Sequence, residues 1–281
     1  MPSLRIEPSG QACGASVTGV DLSAPLTRDT VAEIRAAWLA HQVLAFPDQR
    51  MDDAALARFT LALGRFGEDP FIAPIDTHPH ILEVRREADE KTPLFAENWH
   101  SDWSFLPNPP SATILLGLEI PPIGGDTLFT NQYAAYDALP TATKAKIEGR
   151  NAWHSAALGY SRDGAYGDRD QAAGRSMRIR PSDEAKKKHP HPMARTHPET
   201  GRKSLFVNMG YTIGIEGMPD EESRPLLWEL FQHQMRDEFV YRHAWRPGML
   251  VMWDNRCVNH RATGGYEGYR RVLHRTTVAG P

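Results

Sequence analysis

The order of the predicted secondary structure elements constrains the fold more than any other feature of the sequence. Two helices are predicted first, at about 30–42, where Thr30 and Glu33 form a candidate capping box, and around 56–63. Short segments rich in β-branched and aromatic residues and bounded by Gly, Pro or Asn then dominate. They predict strands at 112–120, 127–130, 204–207, 239–245, 250–253 and 271–278.

Two further helices are predicted at 133–138, with a continuation after Pro140, and at about 220–235. They interrupt the strands without alternating with them. This order argues against a doubly wound α/β protein and predicts a mainly β antiparallel sandwich with peripheral helices.

A chain of 281 residues is long for one domain, but β-barrels and sandwiches of this length are common. We therefore predict a single domain spanning 1–281. The segment at about 155–192 combines many Gly, Arg, Asp, Lys and Pro residues with little apolar periodicity. A long loop of this kind is either a lid or a solvated insertion, and the sequence leaves both interpretations open.

Charge and cysteine content exclude several classes of partner. With 32 basic and 35 acidic residues, the formal net charge is -3, which gives no broad basic surface for a nucleic acid. Only Cys13 and Cys257 are present, so no disulfide framework is indicated and a reducing compartment fits. The first 27 residues contain no apolar run of signal-peptide length, and no stretch approaches 18 apolar residues. We expect a cytoplasmic protein with no membrane partner.

A His-x-Asp pair supplies the first chemical signal. If Asn98 to Asp102 is extended, the side chains of His100 and Asp102 project from one face and suit two ligands of one metal. His260, far along the chain, is the natural third ligand. Two imidazoles and one carboxylate leave three positions of an octahedral iron open. The pair alone is weak evidence, because such pairs also arise by chance among 12 histidines and 35 acidic residues.

The last predicted strand carries two arginines with period-two spacing. Arg271, Leu273 and Arg275 share one face, and Arg270, Val272 and His274 share the other. If the first face points into the barrel, two guanidiniums enter an enclosed space and require anions to meet them. Periodicity alone does not decide which face is inside.

Four motifs together resemble the taurine dioxygenase and 2,4-D dioxygenase (TauD/TfdA) family. They are Trp99-His100-Ser101-Asp102, Gly124-Gly125-Asp126-Thr127, Trp253-Asp254-Asn255-Arg256 with His260, and the strand from Arg271 to Arg275. They occur in the family's order, and the similarity runs from about Gly14 to Val278.

The resemblance implies a double-stranded β-helix, the cupin-like jelly roll, with iron near one mouth. Position by position, it implies that His100, Asp102 and His260 bind the metal. It implies that Thr127 and Arg271 hold the distal carboxylate of 2-oxoglutarate and that Trp253 lines the iron site. Arg275 matches the arginine that binds the acidic group of the substrate.

The activity implied by the resemblance is that of an Fe(II)- and 2-oxoglutarate-dependent dioxygenase. Oxidative decarboxylation of 2-oxoglutarate with O2 would yield succinate and CO2 and drive the oxidation of a second substrate. Halogenating relatives lack the metal-binding carboxylate, so the presence of Asp102 favours hydroxylation.

The substrate pocket is predicted from positions that depart from the taurine enzyme. Ile72, Ile75 and Ala96 align with its polar substrate contacts, and none of them can bind an ammonium group. Tyr211 and Tyr160 fall beside the same pocket. We therefore predict a small organic anion, a sulfonate or a carboxylate, with an apolar or aromatic tail.

Three other functions stay open at this point: a taurine dioxygenase proper, a catalytically silent jelly roll that binds a metal and an anion, and a zinc hydrolase with the same ligands. The oligomeric state is open too, a homo-oligomer included.

Overall fold

The structure, a computed structural model, describes residues 4–281. The helices in this range are α1 (Arg28–His41), α2 (Asp53–Leu63), α3 (Gln132–Asp137), α4 (Thr141–Ile147), α5 (Ala157–Tyr160), α6 (Asp168–Ala172) and α7 (Asp220–Gln234). The strands are β1 (Arg5–Pro8), β2 (Ala15–Thr18), β3 (Val43–Phe46), β4 (Pro74–Ile75), β5 (His78–Arg86), β6 (Ala112–Glu119), β7 (Thr127–Asn131), β8 (Asn151–Ser155), β9 (Lys188–Pro192), β10 (Ala194–Thr196), β11 (Lys203–Leu205), β12 (Thr212–Ile215), β13 (Val240–His243), β14 (Leu250–Asp254), β15 (Val258–Ala262) and β16 (Arg271–Val278).

Two sheets form the body of the fold. The major sheet has eight strands in the order β1-β2-β3-β14-β6-β16-β5-β4, and the minor sheet has three in the order β13-β7-β15. Pairing is antiparallel throughout these two sheets except between β2 and β3. The chain thus forms the jelly roll that the sequence predicted, with helices on its periphery.

The two sheets face each other across an aromatic core. Trp253 of the major sheet packs with Phe129 of the minor sheet at a ring-centroid distance of 5.4 Å, and Leu273 and Val258 belong to the same buried cluster. Burial of such side chains is the main contribution to the stability of a β-sandwich. The alternate residues of β14 and β16 point to the opposite face of the major sheet.

Helices α1 and α2 cover that opposite face. Trp38 and Phe59 pack there against the other side chains of β14 and β16, Met252 and Val278 among them. The N-cap of α1 is Thr27, whose hydroxyl accepts from the Thr30 amide at 3.1 Å. The predicted capping box was therefore wrong: the helix begins at Arg28, and its N-cap is Thr27, three residues before Thr30.

The segment 155–192 is folded and partly buried. It contains α5, α6 and β9, and it contributes Tyr160, Met177, Ile179 and Ala185 to a buried cluster beside the cavity described below. Its three consecutive lysines, Lys186 to Lys188, are exposed. The lid function of this segment stays a prediction.

No helix within residues 4–281 combines the length and the apolar character needed to cross a bilayer.

Candidate active site

A backbone bridge brings the two candidate imidazoles together. His100 and His260 are 160 positions apart, yet each amide donates to the other's carbonyl, at 3.0 Å and 2.7 Å. Within the segment 98–102, His100 is the only residue in the bridge, and Asp102 lies in a turn. The segment is therefore not the regular extended strand that the sequence predicted. Its Ser101 hydroxyl donates to the Asn255 carbonyl at 2.6 Å and fixes the turn against the end of β14.

The three side chains converge on one point. The Nε2 atoms of His100 and His260 lie 3.6 Å and 3.8 Å from the carboxylate oxygens of Asp102, and one ligand atom from each residue falls within 4.8 Å of the others. The Nδ1 atom of His100 donates to the Asn98 carbonyl at 2.8 Å, which leaves its Nε2 lone pair for a metal. All three residues are buried.

The charge states suit metal binding. Burial and the neighbouring His100 lower the pKa of His260 to about 3, so its imidazole is neutral. Burial alone would raise the pKa of Asp102, but Arg275 and the two imidazoles hold it below its usual range. A neutral imidazole and an ionised carboxylate are the forms that coordinate a divalent ion.

A chain of hydrogen bonds orients Asp102. Thr113 on β6 donates to Asp102 Oδ2 at 2.7 Å, and Asn255 donates to the Thr113 hydroxyl at 2.9 Å. The indole of Trp253 in turn donates to Asn255 Oδ1 at 3.0 Å. The Trp253-Asp254-Asn255 motif thus reaches the metal ligand through Thr113, a residue that the sequence analysis missed.

Two cavities open onto the triad and share His100, Asp102, Phe95 and Ala96. The first, which we call the arginine cavity, measures about 720 Å³ with its opening to solvent included. Its wall includes the third ligand, two buried arginines and a set of apolar side chains: His260, Thr127, Trp253, Arg271, Arg275, Val84, Leu94, Leu115 and Met177. The second, which we call the tyrosine cavity, measures about 530 Å³ on the same basis and is lined by Tyr160, Tyr166, Tyr211, Leu158 and Met209 among others.

The two arginines of β16 point into the arginine cavity. Leu273 on the same face lies between the sheets, and His274 and Thr276 on the other face hydrogen-bond to Asp53 and Thr60 of α2. This contact with α2 decides the orientation that periodicity left open. Arg270 is outside, where it pairs with Glu87 and Glu119.

Arg271 is a buried guanidinium without a carboxylate partner among residues 4–281. It donates to the Gly125 carbonyl at 3.2 Å, its Nε atom has no hydrogen-bond partner, and burial lowers its pKa. Thr127 lies in the same wall, and its hydroxyl accepts from the indole of Trp245 at 2.9 Å. That bond leaves the Thr127 proton free to donate into the cavity. Trp245 was not identified from the sequence.

Arg275 has a different environment. Its Nη2 atom lies 3.3 Å from Asp102 and 3.6 Å from Asp69, and its guanidinium stacks over Trp103 at 4.4 Å. Burial opposes its charge, but the two carboxylates raise its pKa. Trp103, which directly follows Asp102, has a left-handed φ of 50°. A bulky residue in this conformation is strained, and such strain occurs mainly where the surrounding structure fixes it.

The predicted substrate contacts divide into two groups. Ala96 borders both cavities, and Tyr160 and Tyr211 line the tyrosine cavity. Ile72 and Ile75 line neither: Ile72 pairs with Ile179 in a buried cluster, and Ile75 packs near α1 and α2. Because neither isoleucine borders a cavity at the triad, we leave both out of the proposed pocket.

One glycine that the sequence analysis did not single out touches a ligand. A Cβ atom on Gly210 would lie 2.9 Å from the Cβ of His100, and the Gly210 amide donates to the Trp99 carbonyl at 3.1 Å. Asn208 holds this turn by accepting from the Tyr211 amide at 2.9 Å. The ring of Tyr211 then meets His100 edge to face at 5.8 Å.

A second group of potential ligands, His197, Asp254 and Cys257, is also buried and within 4.8 Å. The lone pairs of Asp254 and His197 already accept hydrogen bonds from protein groups. The Nε and Nη2 atoms of Arg256 each donate to one carboxylate oxygen of Asp254 at 2.7 Å. His197 Nδ1 accepts from the Glu199 and Thr200 amides. His197 Nε2 must then donate to Asp254, at 3.1 Å. We interpret this cluster as a structural ion pair that ties the segment around 197 to β14.

A jelly roll that holds two histidines and one carboxylate beside open coordination positions has the architecture of the non-haem iron oxygenases. The "Taurine catabolism dioxygenase TauD, TfdA family" matches residues 5–277, and the chain belongs to this family.

Named relatives and a solved structure agree with this assignment. The "(S)-phenoxypropionate/alpha-ketoglutarate-dioxygenase" of Sphingobium herbicidovorans is 32% identical over 99% of this chain and 96% of its own length. The "Alpha-ketoglutarate-dependent sulfate ester dioxygenase" of Pseudomonas putida is 31% identical over 99% of this chain and 90% of its own. The crystal structure of AAD-2 in complex with Mn(II) and N-oxalylglycine superposes with a TM-score of 0.79 at 32% identity, covering 99% of this chain and 98% of that one.

The protein is thus a dioxygenase that depends on Fe(II), 2-oxoglutarate and O2 and acts on a small molecule. This assignment decides against the silent jelly roll and the zinc hydrolase.

Proposed function

We propose that this dioxygenase hydroxylates a small organic anion, a carboxylate or a sulfonate, that carries an apolar or aromatic tail. The observation that carries the proposal is the arginine pair of β16, because both guanidiniums are buried in the wall of the cavity that contains the triad. Residues four apart on a strand are separated by about 13 Å, which allows two different anions to be bound. One is 2-oxoglutarate and the other is the acid group of the substrate.

Each residue of the site has a role in this proposal. His100, Asp102 and His260 hold the iron. Arg271 and the Thr127 hydroxyl bind the distal carboxylate of 2-oxoglutarate, since a guanidinium without a carboxylate partner and a free hydroxyl proton are both donors for it. Trp253 contacts His260 at a ring-centroid distance of 4.6 Å and closes that side of the site.

Iron held by His100, Asp102 and His260 would activate O2, which is the oxidant. One oxygen atom would enter succinate as 2-oxoglutarate loses CO2, and the other would oxidise the substrate. The protein orients the reactants and excludes water. Trp245 fixes the Thr127 hydroxyl, the hydrogen bond from Thr113 fixes Asp102, and Asn98 fixes the tautomer of His100. Because these groups are held before any ligand arrives, little reorganisation is needed during the reaction.

The tail of the substrate would be selected by apolar and aromatic walls. Val84, Leu94 and Met177 line the arginine cavity, and Tyr160 and Tyr211 line the tyrosine cavity. Each CH₂ group buried there gains about 0.8 kcal/mol. An unpaired ammonium would instead pay a desolvation cost of several kcal/mol. The two relatives are named for an aryloxy acid and a sulfate ester, and both names support a small organic anion as the substrate.

Competition between substrates tests this proposal. Succinate formation would be followed under air with Fe(II) and 2-oxoglutarate, for taurine, a series of linear alkyl sulfonates and several aryloxyalkanoates. We expect kcat/KM to rise with tail length and taurine to be a poor substrate. A kcat/KM for taurine above that of every other compound would refute the pocket assignment and restore the taurine enzyme as the function.

A further inference from the structure

Asp69 is a carboxylate beside the active site that none of the roles above uses. Its side chain is 10% exposed, and it lies 3.6 Å from Arg275 Nη2. The indole of Trp103 donates to Asp69 Oδ1, and the Thr277 hydroxyl donates to Oδ2 at 3.2 Å. Arg275 lines the arginine cavity and Asp69 does not, so Asp69 contacts the guanidinium from outside the cavity wall.

The role of Asp69 follows from the sum of the charges around the metal site. The metal and the two arginines of β16 carry four positive charges, and Asp102, Asp69 and the two carboxylates of 2-oxoglutarate carry four negative ones. Burial raises the pKa of Asp69, and the facing guanidinium of Arg275 favours its ionised form. The other charged groups of the wall are also paired: Arg175 with Asp170, Arg86 with Glu90, and Arg85 with Glu83. The loaded site is therefore electrically neutral before the substrate arrives. A substrate anion adds an unmatched charge to a buried site, which is costly.

We propose that Asp69 is a specificity-determining residue, a fixed counter-ion of Arg275 that weakens the binding of acid groups. This inference rests on the proposed function, in which Arg275 receives the acid of the substrate. Its consequence is that Arg275 orients the acid while contributing little net affinity. Selection then depends on the tail, and neutral analogues of the same shape compete well.

A purely structural role is the alternative, because Asp69 also holds Trp103 and Thr277. The two roles differ in their response to substrate charge. Loss of a structural anchor affects a charged ligand and its neutral isostere alike, whereas loss of a counter-ion affects only the charged one. Asp69→Asn separates them, since the asparagine oxygen still accepts from Trp103 and its NH2 group can donate to the Thr277 hydroxyl, so both contacts are kept while the charge is removed.

The experiment measures binding without turnover. Wild-type protein and Asp69→Asn, both saturated with Mn(II) and N-oxalylglycine, are titrated calorimetrically with two matched pairs of probes. Phenoxyacetate and 2-phenoxyacetamide share a tail, and methanesulfonate and methanesulfonamide have almost none. The controls are Asp76→Asn, which removes an exposed carboxylate paired with Arg178, and Thr277→Val, which removes a hydrogen bond to Asp69 without changing its charge.

We expect Asp69→Asn to tighten the binding of both anions by about ten-fold, because a like charge within a few ångströms is removed from a poorly solvated site. Binding of the amide and the sulfonamide should change less than two-fold, and both controls should behave as the wild type. A similar change for charged and neutral probes, or weaker binding of the anions, would overturn the inference.

The remaining outcomes separate the inference from the proposed function. If Asp69→Asn binds methanesulfonate more tightly than the wild type does and phenoxyacetate binds to neither protein, Asp69 has the proposed role and the proposed aromatic tail is wrong. If neither methanesulfonate nor phenoxyacetate binds either protein, Arg275 is not an anion site and both proposals fail. Should Asp69→Asn not fold, the wild type still decides: phenoxyacetate binding more than about ten-fold tighter than its amide would show that Arg275 is not neutralised.

Discussion

Asp102 is the residue on which the metal site depends most, because it contacts both imidazoles, Thr113 and Arg275. Three protein ligands already leave half of an octahedron to other groups, so the loss of one leaves a weak chelate. We expect His100→Ala, Asp102→Ala and His260→Ala each to abolish iron-dependent succinate formation while circular dichroism stays native. His80→Ala, a change of an exposed histidine, is the control. Near-normal turnover in any one of the three variants would exclude that residue as a ligand.

Gly210 provides a subtler test of how His100 is positioned. An added methyl group would approach the His100 Cβ to 2.9 Å, so the ligand or the turn must shift. Outer-shell changes typically weaken metal binding by about 10- to 100-fold, and we expect Gly210→Ala to lie near the lower limit of this range. Gly214→Ala is the matched control, because a Cβ there meets nothing within 4 Å. Equal Mn(II) affinity of the two variants in equilibrium dialysis would show that the turn adapts without cost.

The metal ligands could be predicted from the sequence, but the residues that hold the site in place could not. His100, Asp102 and His260 stand in motifs that resemble those of a family, and the structure brings all three together. Trp245, Gly210 and Asp69 carry no local signal of this kind. Trp245 reaches Thr127 across 118 positions, and Asp69 reaches Thr277 across 208. Such partners become visible only once the register of the strands is known.

At the scale of the element, we expect the two arginines of β16 to bind different ligands. Its register is fixed twice, by pairing with β5 and β6 and by the contacts of its outer face with α2. Arg271→Ala should raise the Kd for 2-oxoglutarate by about two to three powers of ten, as expected when one side of a buried ion pair is lost. Arg275→Ala should impair the organic acid and leave the affinity for 2-oxoglutarate within a few-fold. Exchange of these two effects would mean that the roles are assigned in the wrong order.

Three of the strands that the sequence analysis missed, β5, β8 and β9, contain histidine or proline residues that weaken the strand signal. β5 begins with His78-Pro79-His80, where the proline predicts a loop, and it pairs near the edge of the major sheet, where a missing amide is tolerated. β8 and β9 form a small separate sheet with β12 and contain three histidines and two prolines. By contrast, β6, β14 and β16 lie within the major sheet and were predicted within one residue, because their β-branched and aromatic residues are typical of strands.

For the molecule as a whole, the buried histidines predict sensitivity to mild acid. Burial, followed by the charge of nearby His191, lowers the pKa of His154 to about 3, and burial lowers the pKa values of His191 and His243 to about 4. Arg195 lies near His154 and disfavours its protonation further. In the unfolded chain these side chains titrate near 6.5. Between these values the unfolded state binds more protons than the native state, so the free energy of unfolding falls as the pH falls.

We therefore expect the free energy of unfolding of the metal-free protein to be highest near neutral pH and to decrease from about pH 6.5 downward. His154 alone should account for a loss of roughly 2 kcal/mol by pH 5, since each pH unit below 6.5 corresponds to about 1.4 kcal/mol. Urea denaturation at pH 7.5, 6.0 and 5.0 measures the slope. His154→Gln should flatten it, because glutamine can hydrogen-bond to Ser104 as His154 does and has no proton to gain. His80→Gln, an exposed change, should leave the slope as it is. A free energy of unfolding that stays constant between pH 7.5 and 5.0 would mean that these histidines reach solvent and are protonated in the folded protein.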